Sequence, residues 1–246
     1  MGKKFNRLSR SFGKKSRPPP PVYPPPPPTA PNKRVKTHSW FSRVIALLTC
    51  GHYQKGKRRI PAPLFTHFIT VAQIAVLVAL MALYGIENIA VNPSIGPSIK
   101  ALRDWGAKDN DKIYDDTQVY RFLSPIILHS GIIHLVANVV WQLFIAARCE
   151  VYWGLWRVVL IYVVSGVGGN MLSCVMNPDL ISVGASTSLS GIFSAMFADL
   201  IYNWNNRFTI PNPILSAISL TLQLVIFLLM GFVPLIDNWG HLGGFI

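Results

Sequence analysis

Residues 129–147 read HSGIIHLVANVVWQLFIAA, and the interpretation of the whole chain turns on two polar side chains inside this apolar run. His134 and Asn138 are four residues apart, so on a helix they share one face, one turn from each other. Facing lipid, both would be costly; they must face protein or a water-filled cavity. The pair can donate two hydrogen bonds to a single oxygen. The blander alternative is that it binds two helices together, as polar side chains often do in membranes.

Outward from this stretch, the same pattern repeats. Apolar runs at roughly 64–86, 123–147, 153–176, 187–204 and 213–235 are each near the ~20 residues that a helix needs to cross the hydrocarbon. A sixth begins at Asn238 and is cut off at Ile246. Residues 238–246 make only about 13 Å of helix against a hydrocarbon thickness of about 30 Å, so the sixth helix is expected to be incomplete. Composition agrees: 51% of the 246 residues are hydrophobic and 13% charged, where a soluble domain carries about 25% charged residues. The fold class expected is an all-α membrane protein, a bundle of six transmembrane helices over 64–246 with the last one truncated.

The net charge of +13 invites a nucleic-acid reading, which its distribution removes. Residues 1–64 hold 15 of the 23 Lys and Arg and no acid, leaving 8 basic against 10 acidic residues elsewhere. The basic charge belongs to a tail over 1–63, expected to be disordered and cytosolic. Prolines from Pro18 to Pro28, broken by Val22 and Tyr23, favour extended polyproline II and cannot pack a core. Pro20-Pro21-Val22-Tyr23 has the form of a WW-domain ligand. Lys55, Lys57, Arg58 and Arg59 precede the first run, where the anionic cytoplasmic leaflet attracts them. Cys50, Cys149 and Cys174 have neither paired spacing nor a partner His at ligand distance, so no disulfide framework, metal or cofactor is expected.

Two further groups join His134 and Asn138. Gly184-Ala185-Ser186 opens the fourth run, and its small residues let backbone approach closely while a serine stands at a helix N-terminus. Read alone, it is a helix capped by Ser186. Gly240-His241-Leu242-Gly243-Gly244 opens the sixth run, with Gly240 and Gly244 forming a small face for packing. Set against a small face of Gly191 and Ala195 on the fourth helix, this face would bring His241 to Ser186, where it can take the hydroxyl proton.

In this order the three groups resemble the rhomboid family of intramembrane serine proteases. Asn92-Pro93, Gly96-Pro97-Ser98, Gly106-Ala107, His129, Arg148 with Glu150, and Asp237-Asn238 are similar to the eukaryotic secretase-type members, over about residues 90–246. The resemblance implies an endopeptidase that cuts transmembrane segments within the lipid bilayer, with Ser186 as nucleophile and His241 as base. It implies an oxyanion hole of the Ser186 amide, His134 and Asn138, supported by Gly184, Ala185, Gly240, Gly243 and Gly244. Thr187 replaces the usual glycine after the nucleophile, Tyr120-Arg121 stands for Trp-Arg, and Ser190 stands where the family usually stacks Tyr or Phe on the catalytic histidine. No carboxylate completes a triad: Asp199 is 13 helical residues, roughly 20 Å, from Ser186, and Asp237, one turn from His241, is the remaining candidate. The rival functions are an inactive rhomboid-like protein that binds membrane clients and a transporter or channel. The latter would need polar residues along a through path, whereas these converge.

Overall fold

The computed structural model describes residues 62–206, 210, 212–229 and 237–246. Among them the regular structure is helical, with one isolated antiparallel bridge between Lys108 and Ser182. In chain order the helices are α1 (Leu64–Tyr84), α2 (Ile99–Asp104), α3 (Asn110–Tyr114), α4 (Ile132–Trp141), α5 (Ala147–Trp153), α6 (Leu155–Met176), α7 (Ser186–Tyr202), α8 (Pro213–Leu229) and α9 (Asn238–Phe245). A π-helical turn, Gln142–Ala146, joins α4 to α5. Three stretches, Leu64–Tyr84, Ile132–Trp153 and Leu155–Met176, are long and apolar enough to cross a bilayer by length and composition, and α8 is a shorter apolar helix. The tail, including Pro20–Tyr23, lies outside the described residues.

α1 buries polar side chains beside the apolar Ile69, Leu77 and Leu80 and turns other apolar ones outward. It exposes Phe68, Val71 and Val78 and buries Thr66, Thr70 and Gln73. Lipid is as apolar as leucine, so polar side chains do better between helices than outside them. The buried groups close a ring. Gln73 Nε2 donates to the Tyr162 oxygen at 3.1 Å, the Tyr162 hydroxyl donates to Gln142 Oε1 at 2.7 Å, and Gln142 Nε2 donates to Gln73 Oε1 at 3.0 Å. Gln142 Nε2 also reaches Thr70 Oγ1 at 2.6 Å. This ties α1, the π-turn and α6 together near the middle of their lengths.

Glu150 secures one end of α1. Pro63 provides no side-chain cap, so the first N–H groups of the helix need an acceptor from elsewhere. The buried Glu150 carboxylate accepts from Phe65 N at 2.9 Å, Thr66 N at 2.8 Å and Thr66 Oγ1 at 2.7 Å. Its negative charge at a helix N-terminus also suits the helix dipole.

The second helix differs from the expected 123–147. It begins at Ile132 and reaches Trp153, while Val119–Phe122 and Ser124–Ile126 form 3-10 turns. Pro125 has no N–H to give a helix. Gly131 is pressed so closely on the first loop that a Cβ there would lie 2.3 Å from the Ser94 carbonyl oxygen. The first helix stops at Tyr84, before Gly85 at φ +76°, and the fourth runs from Ser186 to Tyr202.

Candidate active site

The loop that delivers Ser186 is held by the long first loop. Lys108 is fully buried, and its Nζ donates to the carbonyls of Asn177 and Leu180, each at 2.8 Å. Lys108 N also donates to Ser182 O at 2.9 Å, and Gly184 N to Pro125 O at 2.9 Å. Burial pushes the Lys108 ammonium below the ordinary lysine pKa. Lys108 itself sits in a segment fixed by Arg121, whose guanidinium donates to Arg103 O at 2.7 Å and Ala107 O at 2.8 Å, and by the Arg103–Asp109 ion pair.

Gly184 has φ +132°, a conformation that side-chain-bearing residues rarely adopt, and a Cβ there would lie 2.8 Å from His134 Cε1. Ser186 therefore starts α7 directly against the imidazole on α4. His134 Nδ1 lies 3.0 Å from Ser130 Oγ, its ring meets that of His129 edge-on at 5.3 Å, and its Nε2 has no hydrogen-bond partner. One turn on, Asn138 Nδ2 donates to His134 O at 3.0 Å.

His241 approaches on α9. The small face of that helix meets α6 as well as α7, unlike the expected pairing with Gly191 and Ala195 alone. A Cβ on Gly244 would lie 2.1 Å from Thr187 O, and one on Gly169 of α6 would lie 2.4 Å from Gly240 O. A Cβ on Gly243 would meet Leu172 Cβ at 2.6 Å. Thr187 is thus accommodated by glycines around it. Asp237 caps α9, accepting from Gly240 N at 2.9 Å and from the Ser173 hydroxyl. The Asp237 carboxylate does not hydrogen-bond the imidazole, since both ring nitrogens of His241 lack a partner. For the same reason the Ser186–His241 hydrogen bond is not made. Asp199 Oδ1 accepts from Asn203 Nδ2 at 3.0 Å, far along α7.

One pocket is lined by His134, Ala137, Asn138, Trp141, Ser186, Phe227 and His241. Its four polar members are 2–8% exposed. The Ser186 hydroxyl, the unpaired imidazole of His241 and the side chains of His134 and Asn138 thus share one largely buried space. Trp141 and Phe227 were not among the residues singled out from the sequence. Trp141 was discoverable, since it lies one turn beyond Asn138 on the same face.

The rhomboid domain model matches residues 116–246. The chain belongs to the rhomboid family. It is 40% identical over 162 residues to RHOMBOID-like protein 7 of Arabidopsis thaliana, covering 66% of this chain and 51% of that protein. It is 36% identical over 141 residues to Rhomboid-type serine protease 2 of Emericella nidulans, covering 57% and 27%. It is also 29% identical over 168 residues to Inactive RHOMBOID-like protein 8 of Arabidopsis thaliana, covering 68% and 47%. This rhomboid spans about half the length of the first of these relatives. Family and apolar helices together make it a multi-pass integral membrane protein.

Proposed function

We propose that this rhomboid is an intramembrane serine endopeptidase that cleaves transmembrane segments with a Ser186–His241 dyad. The observation that carries the reading is that Ser186, His241, His134 and Asn138 line one and the same cavity. Ser186 Oγ attacks the scissile carbonyl carbon while His241 takes its proton. The oxyanion is met by the Ser186 N–H, which at the start of α7 has no partner within its own helix. It is also met by His134 Nε2 and Asn138 Nδ2. Ser130 Oγ lies 3.0 Å from His134 Nδ1; with the hydroxyl as donor there, the single ring proton of the neutral imidazole stands on Nε2, where it can serve. Collapse of the intermediate expels the amine, protonated by His241, and leaves an acyl-enzyme. Water, deprotonated by the same imidazole, then releases the acid. The first loop and the Lys108-anchored loop surround the entry to Ser186 with nonhelical backbone, which is tolerated at depth beside protein or water.

The unbroken positive charge of residues 1–64 supports a cytosolic N-terminus, by the positive-inside rule. One observation favours a second reading, an inactive rhomboid that binds membrane clients: the dyad hydrogen bond is open. Apo sites often hold such bonds long until substrate tightens them, so the protease reading is preferred.

The test is labelling of the full-length protein with a fluorophosphonate, paired with cleavage of a model transmembrane substrate. Wild type is expected to be labelled at Ser186. Ser186→Ala and His241→Ala each lose both signals, and Asp199→Asn keeps both. Undiminished cleavage by Ser186→Ala would remove the protease reading in favour of the client-binding one.

A further inference from the structure

We propose that Phe227 is a positioning residue for His241, an inference that rests on His241 being the base. The imidazole is only 2% exposed, yet neither of its nitrogens has a hydrogen-bond partner. The Asp237 cap fixes the backbone of α9, but no polar contact sets the rotation of the ring. Its aromatic neighbour is Phe227 of α8, with centroids 5.1 Å apart and planes inclined by 40°.

Phe227 is itself held in place. Its ring lies 5.3 Å from Phe193 and 6.2 Å, edge-on, from Trp141, and these two meet edge-on at 5.6 Å. Trp141 is one turn beyond Asn138 on α4, and Phe193 is two turns beyond Ser186 on α7. The four rings therefore connect the helix of the oxyanion donors, the helix of the nucleophile and the helix of the base. On α7 itself, the residue one turn after Ser186 offers no ring: Ser190 Oγ donates to Ser186 O at 3.0 Å. The backing of the imidazole comes instead from α8.

A general base must be aimed within roughly 0.5 Å and 10–20° to act. In most Ser–His sites a carboxylate on Nδ1 does this; here packing must. An aromatic pair is worth about 0.5–1.5 kcal/mol beyond its buried area, equivalent to roughly 2- to 10-fold in rate.

The experiment uses the full-length protein in liposomes, as wild type, Phe227→Leu, Phe227→Ala and Phe227→Tyr. Three quantities are read: the rate of fluorophosphonate labelling at Ser186, kcat and KM on a model transmembrane substrate, and the His241 ring-proton shifts in histidine-labelled protein, assigned with His241→Ala. Phe227→Leu keeps apolar volume but removes the ring. It should lower the labelling rate and kcat by about 2- to 10-fold, with KM within about two-fold. It should also move the His241 resonances downfield as the ring current is lost. Phe227→Tyr should restore all three to near wild type, and Phe227→Ala should match or exceed the loss in Phe227→Leu. Unchanged labelling and kcat in Phe227→Leu, a rise in KM at constant kcat, or unmoved His241 resonances would each overturn the positioning role. A wild type that takes no label overturns the protease reading, and this proposal with it. A labelled wild type beside an insensitive Phe227→Leu overturns this proposal alone.

Discussion

Gly184 shows how little room single residues have in this site. Its φ of +132° and the His134 ring 2.8 Å from a would-be Cβ penalise any side chain twice, once through backbone strain and once through collision with that ring. Gly184→Ala is expected to slow Ser186 labelling by about 100-fold, as roughly 3 kcal/mol of strain would do. Labelling at the wild-type rate would show that the loop relaxes freely. Asn138→Ala has a different signature. With the Ser186 amide and His134 still in place, cleavage should fall by about 10²-fold without vanishing, measured as kcat with folding checked by thermal melting. At this scale, sequence reading reaches as far as periodicity does. His134, Asn138 and Trp141 share one helical face, so their association follows from spacing. Phe227 sits in an apolar run where one more phenylalanine carries no pattern, and its role depends on where α8 lies against α9.

At the scale of elements, the segment from Arg103 to Asn110 acts as a clamp on the loop before Ser186. Lys108→Met removes the ammonium that satisfies the Asn177 and Leu180 carbonyls, and each buried acceptor left alone costs about 1–3 kcal/mol. The melting temperature should drop and Ser186 labelling should slow together; an unchanged melting temperature would mean that water replaces the ammonium. The pH dependence has a definite sign. Because burial depresses the Lys108 pKa in the folded state, the unfolded chain binds more protons between the folded and unfolded values, and the lysine's contribution to stability rises with pH across that interval. Little of this clamp is readable in advance, since a lone lysine in a loop resembles any solvated charge. Helix ends were readable only in part. Gly85 and Gly154 mark two of them, whereas the delayed start at Ile132 depends on Gly131 meeting Ser94, a contact 37 residues away in the chain.

Over the whole molecule, the concentration of Lys, Arg and Pro in residues 1–64 and of apolar runs beyond them is a matter of composition alone, because charge and hydropathy need no tertiary information. The family was also legible, since its residues recur in a fixed order through the helices. Deleting residues 1–54 while keeping Lys55, Lys57, Arg58 and Arg59 is expected to leave membrane insertion and cleavage intact, scored by protease protection and substrate turnover. Loss of insertion would show that the tail takes part in assembly. The ring formed by Gln73, Tyr162 and Gln142 bears on assembly in another way. Its members come from three separate helices, and each donates to the next, so no subset of two is fully satisfied. A helix seated one residue out of register would break two of the three bonds at once, because each member bonds to both of the others. Near-miss packings are thereby separated from the correct one by a step in energy rather than a slope, and the ring serves as a proofreading device for helix order.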